Sequence, residues 1–206
     1  MGIRKVNRDI LIEKAAHFFR TQGYHGTSMQ TIAEALNINK ASLYHHILDK
    51  ETLALTVLQT IRQFFQTRFF AIAYQDPPPA RERLQDMMSQ LESYFLHCEG
   101  GCLMANFTLE LGPQFPRFSE VILAYLQDWI GVLSHLLKTC YPVEQAQDLA
   151  EQAMARFQGA LIQHRLGEIA PLLKQKNYLL QTFDQGFLLS ADYFRSDETS
   201  LLAEGS

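Results

Sequence analysis

The chain has 206 residues, which is long enough to bury a core without disulfides or metals, whether it forms one large domain or two small ones. Hydrophobic residues make up 47% and charged residues 19%, and no uninterrupted apolar run of about 18 residues or signal-peptide pattern occurs, so we expect a cytoplasmic protein without a membrane span. The net charge is −4, yet residues 1–62 carry eight Lys and Arg against five Asp and Glu, so a polyanion should be attracted to this first segment.

The first segment has the pattern of four consecutive helices. Apolar residues three and four positions apart predict a first helix over 7–21, with Gly23 as its stop. Thr27 or Ser28 caps a short second helix that ends at Asn37, a residue type that tolerates the left-handed turn conformation. A third helix is predicted to begin near residue 39 or 40 and to reach residue 47. Asp49 is the expected N-cap of a longer fourth helix.

Two short helices joined by a tight turn, with a preceding helix to pack on, predict a helix-turn-helix. If Leu43 and Ile47 of the third helix face the core, helical spacing turns Ala41 and His45 outward, with Ser42 beside them. Small and hydrogen-bonding side chains suit the edges of bases in the major groove of DNA. The third helix is therefore the expected recognition helix.

The same residues carry a family resemblance. The matching motifs are Ala15-Ala16 to Phe19, Gly23-Tyr24, Gly26-Thr27-Ser28-Met29, Ile32-Ala33, and Leu43-Tyr44 followed by Lys50-Glu51-Thr52-Leu53. Residues 8–53 thereby resemble the DNA-binding region of the TetR/AcrR family of bacterial regulators. Two departures are Ile47, where the family usually has an aromatic residue, and Leu48, at a place that is often polar. The helices that follow match the family's ligand domain in number and order.

The resemblance implies a set of DNA contacts. Thr27 and Ser28 would contact phosphate, Gln30 would reach a base, and Lys50 would hold a phosphate at the N-terminus of the fourth helix. The recognition helix would contribute Lys40, Ala41, Ser42, Tyr44, His45 and His46, and Arg4 and Lys5 would form a basic arm. Other interpretations stay open: a capping box with Thr27 explains Gln30 equally well, ordinary packing is the alternative for Tyr44, and His46 lies nearer the core side.

A second region follows the consecutive prolines at residues 77–79, which cannot continue a helix. We therefore expect an all-α protein with a three-helix N-terminal helix-turn-helix domain and a C-terminal helical ligand-binding and dimerisation domain. The predicted segments are a DNA-binding domain over 1–52, a connecting helix and linker over 53–79, an effector-binding and dimerisation domain over 80–195, and a flexible tail over 196–206.

Aromatic and sulfur-containing side chains on several C-terminal helices could line a cavity, although packing explains such residues equally well. In the family resembled, such a cavity binds a small effector, and the candidates here are Phe95, Met104, Phe107, Tyr125, Trp129 and Phe157. Glu110 would pair with a cationic ligand or simply be solvated.

The last two helices carry stripes of small and aromatic residues suited to close helix packing across a two-fold axis. The candidate dimer residues are Ala150, Ala153, Phe157, Leu161, Phe183 and Phe187. A dimer would set two recognition helices about one turn of DNA apart.

Three cysteines in a chain with no export signal indicate reduced thiols. Cys102 follows two glycines and begins a short helix, where a thiolate would be favoured, so it is a candidate sensor of electrophiles, with inert packing as the alternative.

The sequence shows neither a catalytic set nor a metal-ligand cluster, and no cofactor is expected, so an enzyme is the weaker interpretation. A purely structural helical protein is a second rival, but neither rival needs the outward-facing set on the third helix. The predicted function is a homodimeric regulator, usually a repressor in this family, that leaves a palindromic operator in double-stranded DNA when a small molecule binds.

Overall fold

A computed structural model describes the backbone of residues 7–203 and the side chains of residues 7–189. Within these limits the chain forms nine α-helices and two short 3-10 helices. The α-helices are α1 (Arg8–Gly26), α2 (Met29–Ala35), α3 (Lys40–His46), α4 (Lys50–Arg68), α5 (Ala80–Leu96), α6 (Leu103–Leu111), α7 (Pro116–Leu137), α8 (Val143–Arg165) and α9 (Ala170–Ala203), and the 3-10 helices are Phe70–Tyr74 and Gly112–Gln114.

No strand occurs over residues 7–203, and the expected all-α class is confirmed. The proposed basic arm at Arg4 and Lys5 lies outside the described residues. The predicted tail over 196–206 has no described side chain, and its last three residues lie outside the described backbone.

Local signals set the helix boundaries in the first segment. Ser28, Asn39 and Asp49 each accept a hydrogen bond from the backbone N–H three residues further on and thereby cap α2, α3 and α4. The bond from the N–H of Thr52 lowers the pKa of the Asp49 carboxyl. Asn37 has φ of 54°, the left-handed conformation that the turn before α3 requires.

The end of α1 differs from the prediction. Gly23, with φ of 78°, breaks the helix as expected, but helical geometry resumes for one more turn and ends at Gly26. The break therefore divides α1 and does not terminate it, because the N–H groups of the extra turn find acceptors on another helix, described below.

Helices α1 to α3 pack around fully buried side chains that include Phe19, Ile32 and Leu43. The fourth helix, α4, packs on α1 and extends onto α7, where Arg62 and Asp128 form an ion pair of 2.6 Å. Helix α6 lies directly on α1. The N-terminal helices are thus in contact with the C-terminal helices through both α4 and α6.

In the C-terminal region, α8 packs against α7 on one side and α9 on the other. Phe65 of α4 contacts Tyr125 and Trp129 of α7 at ring-centroid distances of 5.2 and 6.3 Å, so the core is continuous between the two regions. No helix in the described part of the chain is both long enough and apolar enough to cross a membrane.

Most of the residues predicted to form the dimer interface are buried within the protomer. Five of the six candidates are 5% exposed or less and pack inside the protomer: Ala150, Ala153, Phe157, Leu161 and Phe183. Phe187 alone of the six is exposed, at 62%. The five residues are therefore corrected from interface to core, since an apolar stripe on α8 or α9 is satisfied equally well by α7 or by the other helix of the same chain.

Candidate functional site

The outer face of α3 presents a compact set of polar and small side chains. Lys40, Ala41, Tyr44 and His45 are exposed, whereas Leu43 is fully buried and holds the helix to the core. Tyr44 is 44% exposed, with the Lys40 ammonium 6.0 Å from its ring centroid, so it is not ordinary core packing. His46 is also exposed, contrary to the expectation that it faces the core.

Helix α2 contributes fewer groups to this face than the resemblance implies. Ser28 is exposed, and its hydroxyl caps α2 through the N–H of Thr31. Gln30 is exposed and bonds Glu34 at 2.7 Å, so the capping box with Thr27 does not form. Thr27 departs from its predicted role, because it is 1% exposed and its hydroxyl donates to the carbonyl of Gly23 at 2.7 Å.

Lys50 is half-buried and directs its ammonium toward the protein. The Nζ atom donates to the carbonyls of Tyr24 at 3.0 Å and Thr27 at 3.2 Å and lies 4.3 Å from the Tyr24 ring centroid. A phosphate contact was expected of this residue, but two of its three donors are already engaged. Lys50 therefore stabilises the last turn of α1 and the residue that follows it, Thr27.

Two residues of α6 that the sequence did not single out as contacts of the helix-turn-helix reach the same turn. The Glu110 carboxylate accepts the backbone N–H groups of Tyr24 and His25, each at 2.7 Å. Asn106 donates to the carbonyl of Arg20 at 3.1 Å. Neither a cationic ligand nor solvent explains Glu110, and no local signal revealed its role because its partners lie more than eighty residues away.

The six candidate effector contacts do not surround an open cavity. All are 3% exposed or less, and several fill one another's space, as Trp129 and Phe157 do at a centroid distance of 5.1 Å. The cavity that touches Phe95, Met104 and Tyr125 has a volume of about 10 Å³, room for about one water. The expectation of an open pocket lined by Phe95, Met104, Phe107, Tyr125, Trp129 and Phe157 is corrected to a packed core.

A wider groove of about 230 Å³ lies between α6, α7 and α8. Its walls are almost entirely apolar and bear no charged side chain; they are formed by Met104, Ala105, Thr108, Leu109, Ile122, Leu126, Met154, Ala155, Gln158 and Ile162. Of the predicted effector contacts, Met104 alone borders this groove.

Cys102 lacks the environment of a reactive thiol. It is 5% exposed, and burial raises the pKa of its thiol, so the neutral form persists at physiological pH. The proposed sensing role is therefore corrected, because removal from water outweighs the favourable backbone N–H groups at the start of α6. Across the described side chains, no three His, Cys, Asp or Glu residues cluster as a metal site requires.

Comparison with known proteins defines the class. Residues 11–57 match the model of the bacterial regulatory proteins of the tetR family. The transcriptional repressor DhaR of Mycobacterium sp. (strain GP1) is 26% identical over 166 residues, which are 77% of this chain and 82% of DhaR. The icaADBC negative regulator IcaR of Staphylococcus aureus (strain Newman) is 41% identical over 46 residues, 22% of this chain and 25% of IcaR.

Solved structures share the fold over most of the chain. A TetR transcriptional regulator from Legionella pneumophila has a TM-score of 0.78 at 23% identity, covering 88% of this chain and 99% of its own. Reduced NemR from E. coli has a TM-score of 0.71 at 17% identity, covering 84% and 94%. The fold and the N-terminal site together define a helix-turn-helix transcription regulator, a class of DNA-binding proteins and not of enzymes. The N-terminal segment, residues 11–57, matches the tetR family, and the described fold is that of solved TetR regulators.

Proposed function

We propose that this protein is a transcriptional repressor that binds a palindromic operator as a homodimer and is released when a small molecule binds its C-terminal region. The observation that carries the proposal is the outer face of α3, where Lys40, Ala41, Tyr44 and His45 are exposed on a helix whose other side is buried. Repression is supported by the relatives, several of which are named as repressors or negative regulators.

The residues divide into two roles by their chemistry. His45 and Ala41 suit the base edges of the major groove, since the imidazole donates or accepts a hydrogen bond and alanine permits close approach. We assign Lys40, Tyr44 and Ser28 to backbone phosphates and the exposed Gln30 to a base edge. Ser42 is half-buried and its backbone N–H is the group that Asn39 caps, so we assign it to the inner edge of the contact.

For the effector, the groove between α6, α7 and α8 is the favoured entrance. It is apolar, it borders Met104, and one of its walls is α6, the helix that contacts α1. A ligand that wedges this groove open would displace α6 and thereby alter the position of the helix-turn-helix.

The test begins with selection of bound sequences from a random pool of DNA duplexes by the purified protein. We expect one palindromic sequence to be enriched. His45→Ala should then lower affinity for that duplex about tenfold and relax the preference at the contacted base. Lys40→Ala should lower the affinity for all duplexes alike and reduce the slope of log affinity against log salt concentration by about one.

Lys174→Ala serves as the control, because Lys174 is an exposed cation on α9, far along the chain from the helix-turn-helix. Failure of the wild-type protein to enrich any duplex over random DNA at several salt concentrations would refute the proposed function.

A further inference from the structure

Two oppositely charged side chains from outside the helix-turn-helix hold the residue 24–27 turn, which is the last turn of α1 together with Thr27. Glu110 of α6 accepts the N–H of Tyr24, and Lys50 of α4 donates to the carbonyl of the same residue. Glu110 also accepts the N–H of His25. Both backbone polar groups of Tyr24 are therefore paired with charged groups, and charge-assisted bonds of this kind are stronger than neutral ones.

The break in α1 creates the site that Glu110 occupies. At Gly23 the backbone leaves helical geometry, so the N–H groups that follow resemble those of a helix N-terminus, which need an outside acceptor. A Cβ at this position would lie 2.6 Å from the Glu110 Oε2 atom, and φ is 78°. Only glycine allows the carboxylate to approach so closely.

A second contact fixes the same face of α6. Asn106, one turn before Glu110, donates to the carbonyl of Arg20 and receives a hydrogen bond from the guanidinium of Arg165 on α8. Phe107 packs against the Tyr24 ring at a centroid distance of 5.9 Å. This face of α6 therefore joins α1 to α8.

The opposite face of α6 borders the apolar groove, through Ala105, Thr108 and Leu109. Because α6 is a short, nine-residue helix, a displacement on the groove side moves Glu110 and Asn106 with it. The helix thus lies between the groove and the turn that precedes α2.

We propose that Glu110 is a positioning residue for DNA binding: its carboxylate holds the residue 24–27 turn, and through that turn it sets the orientation of α2 and α3. The inference rests on the proposed function, because the orientation matters only if α3 contacts DNA. It goes further in assigning the connection between the C-terminal region and the helix-turn-helix to one carboxylate.

The experiment compares Glu110→Gln with the wild-type protein, using the duplex that the wild-type protein selects. The amide keeps the size of the side chain but removes its charge and replaces one acceptor by a donor, which opposes a backbone N–H. We expect affinity for the duplex to fall about tenfold, within the range of typical coupling between sites. In the DNA-free protein, the amide hydrogens of Tyr24 and His25 should exchange faster with solvent.

Glu92→Gln is the matched control. Glu92 is also a half-buried carboxylate of the C-terminal region, and it pairs with Lys176 at 3.2 Å between α5 and α9. Its loss should leave both DNA affinity and exchange at residues 24 and 25 at wild-type values. If the role of Glu110 were merely structural, Glu110→Gln would lower the unfolding midpoint without changing DNA affinity.

Equal DNA affinity of Glu110→Gln and wild type overturns the inference, whether or not exchange accelerates. Unchanged exchange at Tyr24 and His25 also overturns it, because the carboxylate then does not hold the turn. A wild-type protein that selects no duplex refutes the proposed function itself, and that outcome is separate from a selected duplex to which both proteins bind equally.

Discussion

At the scale of single residues, Lys50 and Glu110 direct their charges to backbone groups of one turn and not to solvent. A half-buried charge must be paired to offset its lost hydration, and here carbonyl and N–H groups do so. Such a residue behaves differently from a surface charge of the same type, which contributes little to stability. Cys102 shows the opposite balance, because burial raises the pKa of its thiol more than nearby backbone N–H groups and the Arg20 charge lower it, and the thiol stays neutral.

Cysteine reactivity is predicted to be low at neutral pH. Burial raises the pKa of Cys102, and it raises the pKa of Cys140 to about 11. Because the thiolate is the nucleophile, folded protein at pH 7.5 should resist iodoacetamide at both positions, and reaction at Cys140 should accelerate only as pH rises toward 11. Peptide mass spectrometry after quenching measures each site.

Urea-denatured protein provides the reference for this measurement, since all three thiols are then exposed. Alkylation of Cys102 in the folded protein at a rate close to that in urea would restore it as a candidate sensor.

At the scale of elements, α3 is too short to be stable by itself, since it has seven residues and one fully buried anchor, Leu43. Its N-terminus depends on Asn39, whose side-chain oxygen accepts the N–H of Ser42 at 2.6 Å. The C-terminal end is followed by exposed Leu48 and then by the Asp49 cap of α4. The recognition helix is therefore held by its ends and by one side chain.

Replacement of the cap, Asn39→Ala, should destabilise the protein by about 0.5–2 kcal/mol, because the first N–H groups of α3 lose their acceptor. Urea unfolding of the DNA-free protein measures this change. Asn177→Ala, at an exposed position within α9, is the control and should have little effect or a slightly stabilising one, since alanine favours helix interiors. Equal stability of Asn39→Ala and Asn177→Ala would show that the cap contributes nothing.

At the scale of the whole molecule, the inner faces of α8 and α9 complete the protomer core, so self-association must use other faces. The outward side of α9 carries Leu173, 43% exposed, and Leu188, 66% exposed, and the turn before it carries Leu166, 81% exposed. A depression of about 650 Å³ lies beside Leu188, between α9 and the start of α5. Exposed apolar patches of this kind are typical of interfaces.

We predict a dimer in solution that uses this outward face. Leu173→Glu combined with Leu188→Glu should give folded monomers, because the charges would be buried without partners in a dimer but remain solvated in a monomer. Sedimentation equilibrium at micromolar concentration distinguishes the two states. Leu48→Glu is the control, since Leu48 is also exposed, at 78%, but lies beside α3. A monomeric wild type would contradict the prediction.

The starts of α2, α3 and α4 follow from the sequence because their determinants are local. The caps at Ser28, Asn39 and Asp49 and the left-handed Asn37 act within three residues of where they stand. The outward set of α3 follows from the same logic, since a buried Leu43 determines where its neighbours point. Recognition of a helix-turn-helix regulator therefore required no tertiary information.

The tertiary structure decided which apolar faces meet, because a stripe of hydrophobic side chains does not specify its partner. Ala153 and Phe183 pack against helices of their own chain. The aromatic side chains that were expected to surround a ligand pack against one another. Polar contacts between residues far apart in the chain could not be predicted from the sequence either. From the sequence alone, Glu110 could be interpreted only as a solvated carboxylate or a ligand contact. The packing of α6 on α1 brings it to the N–H groups of Tyr24 and His25.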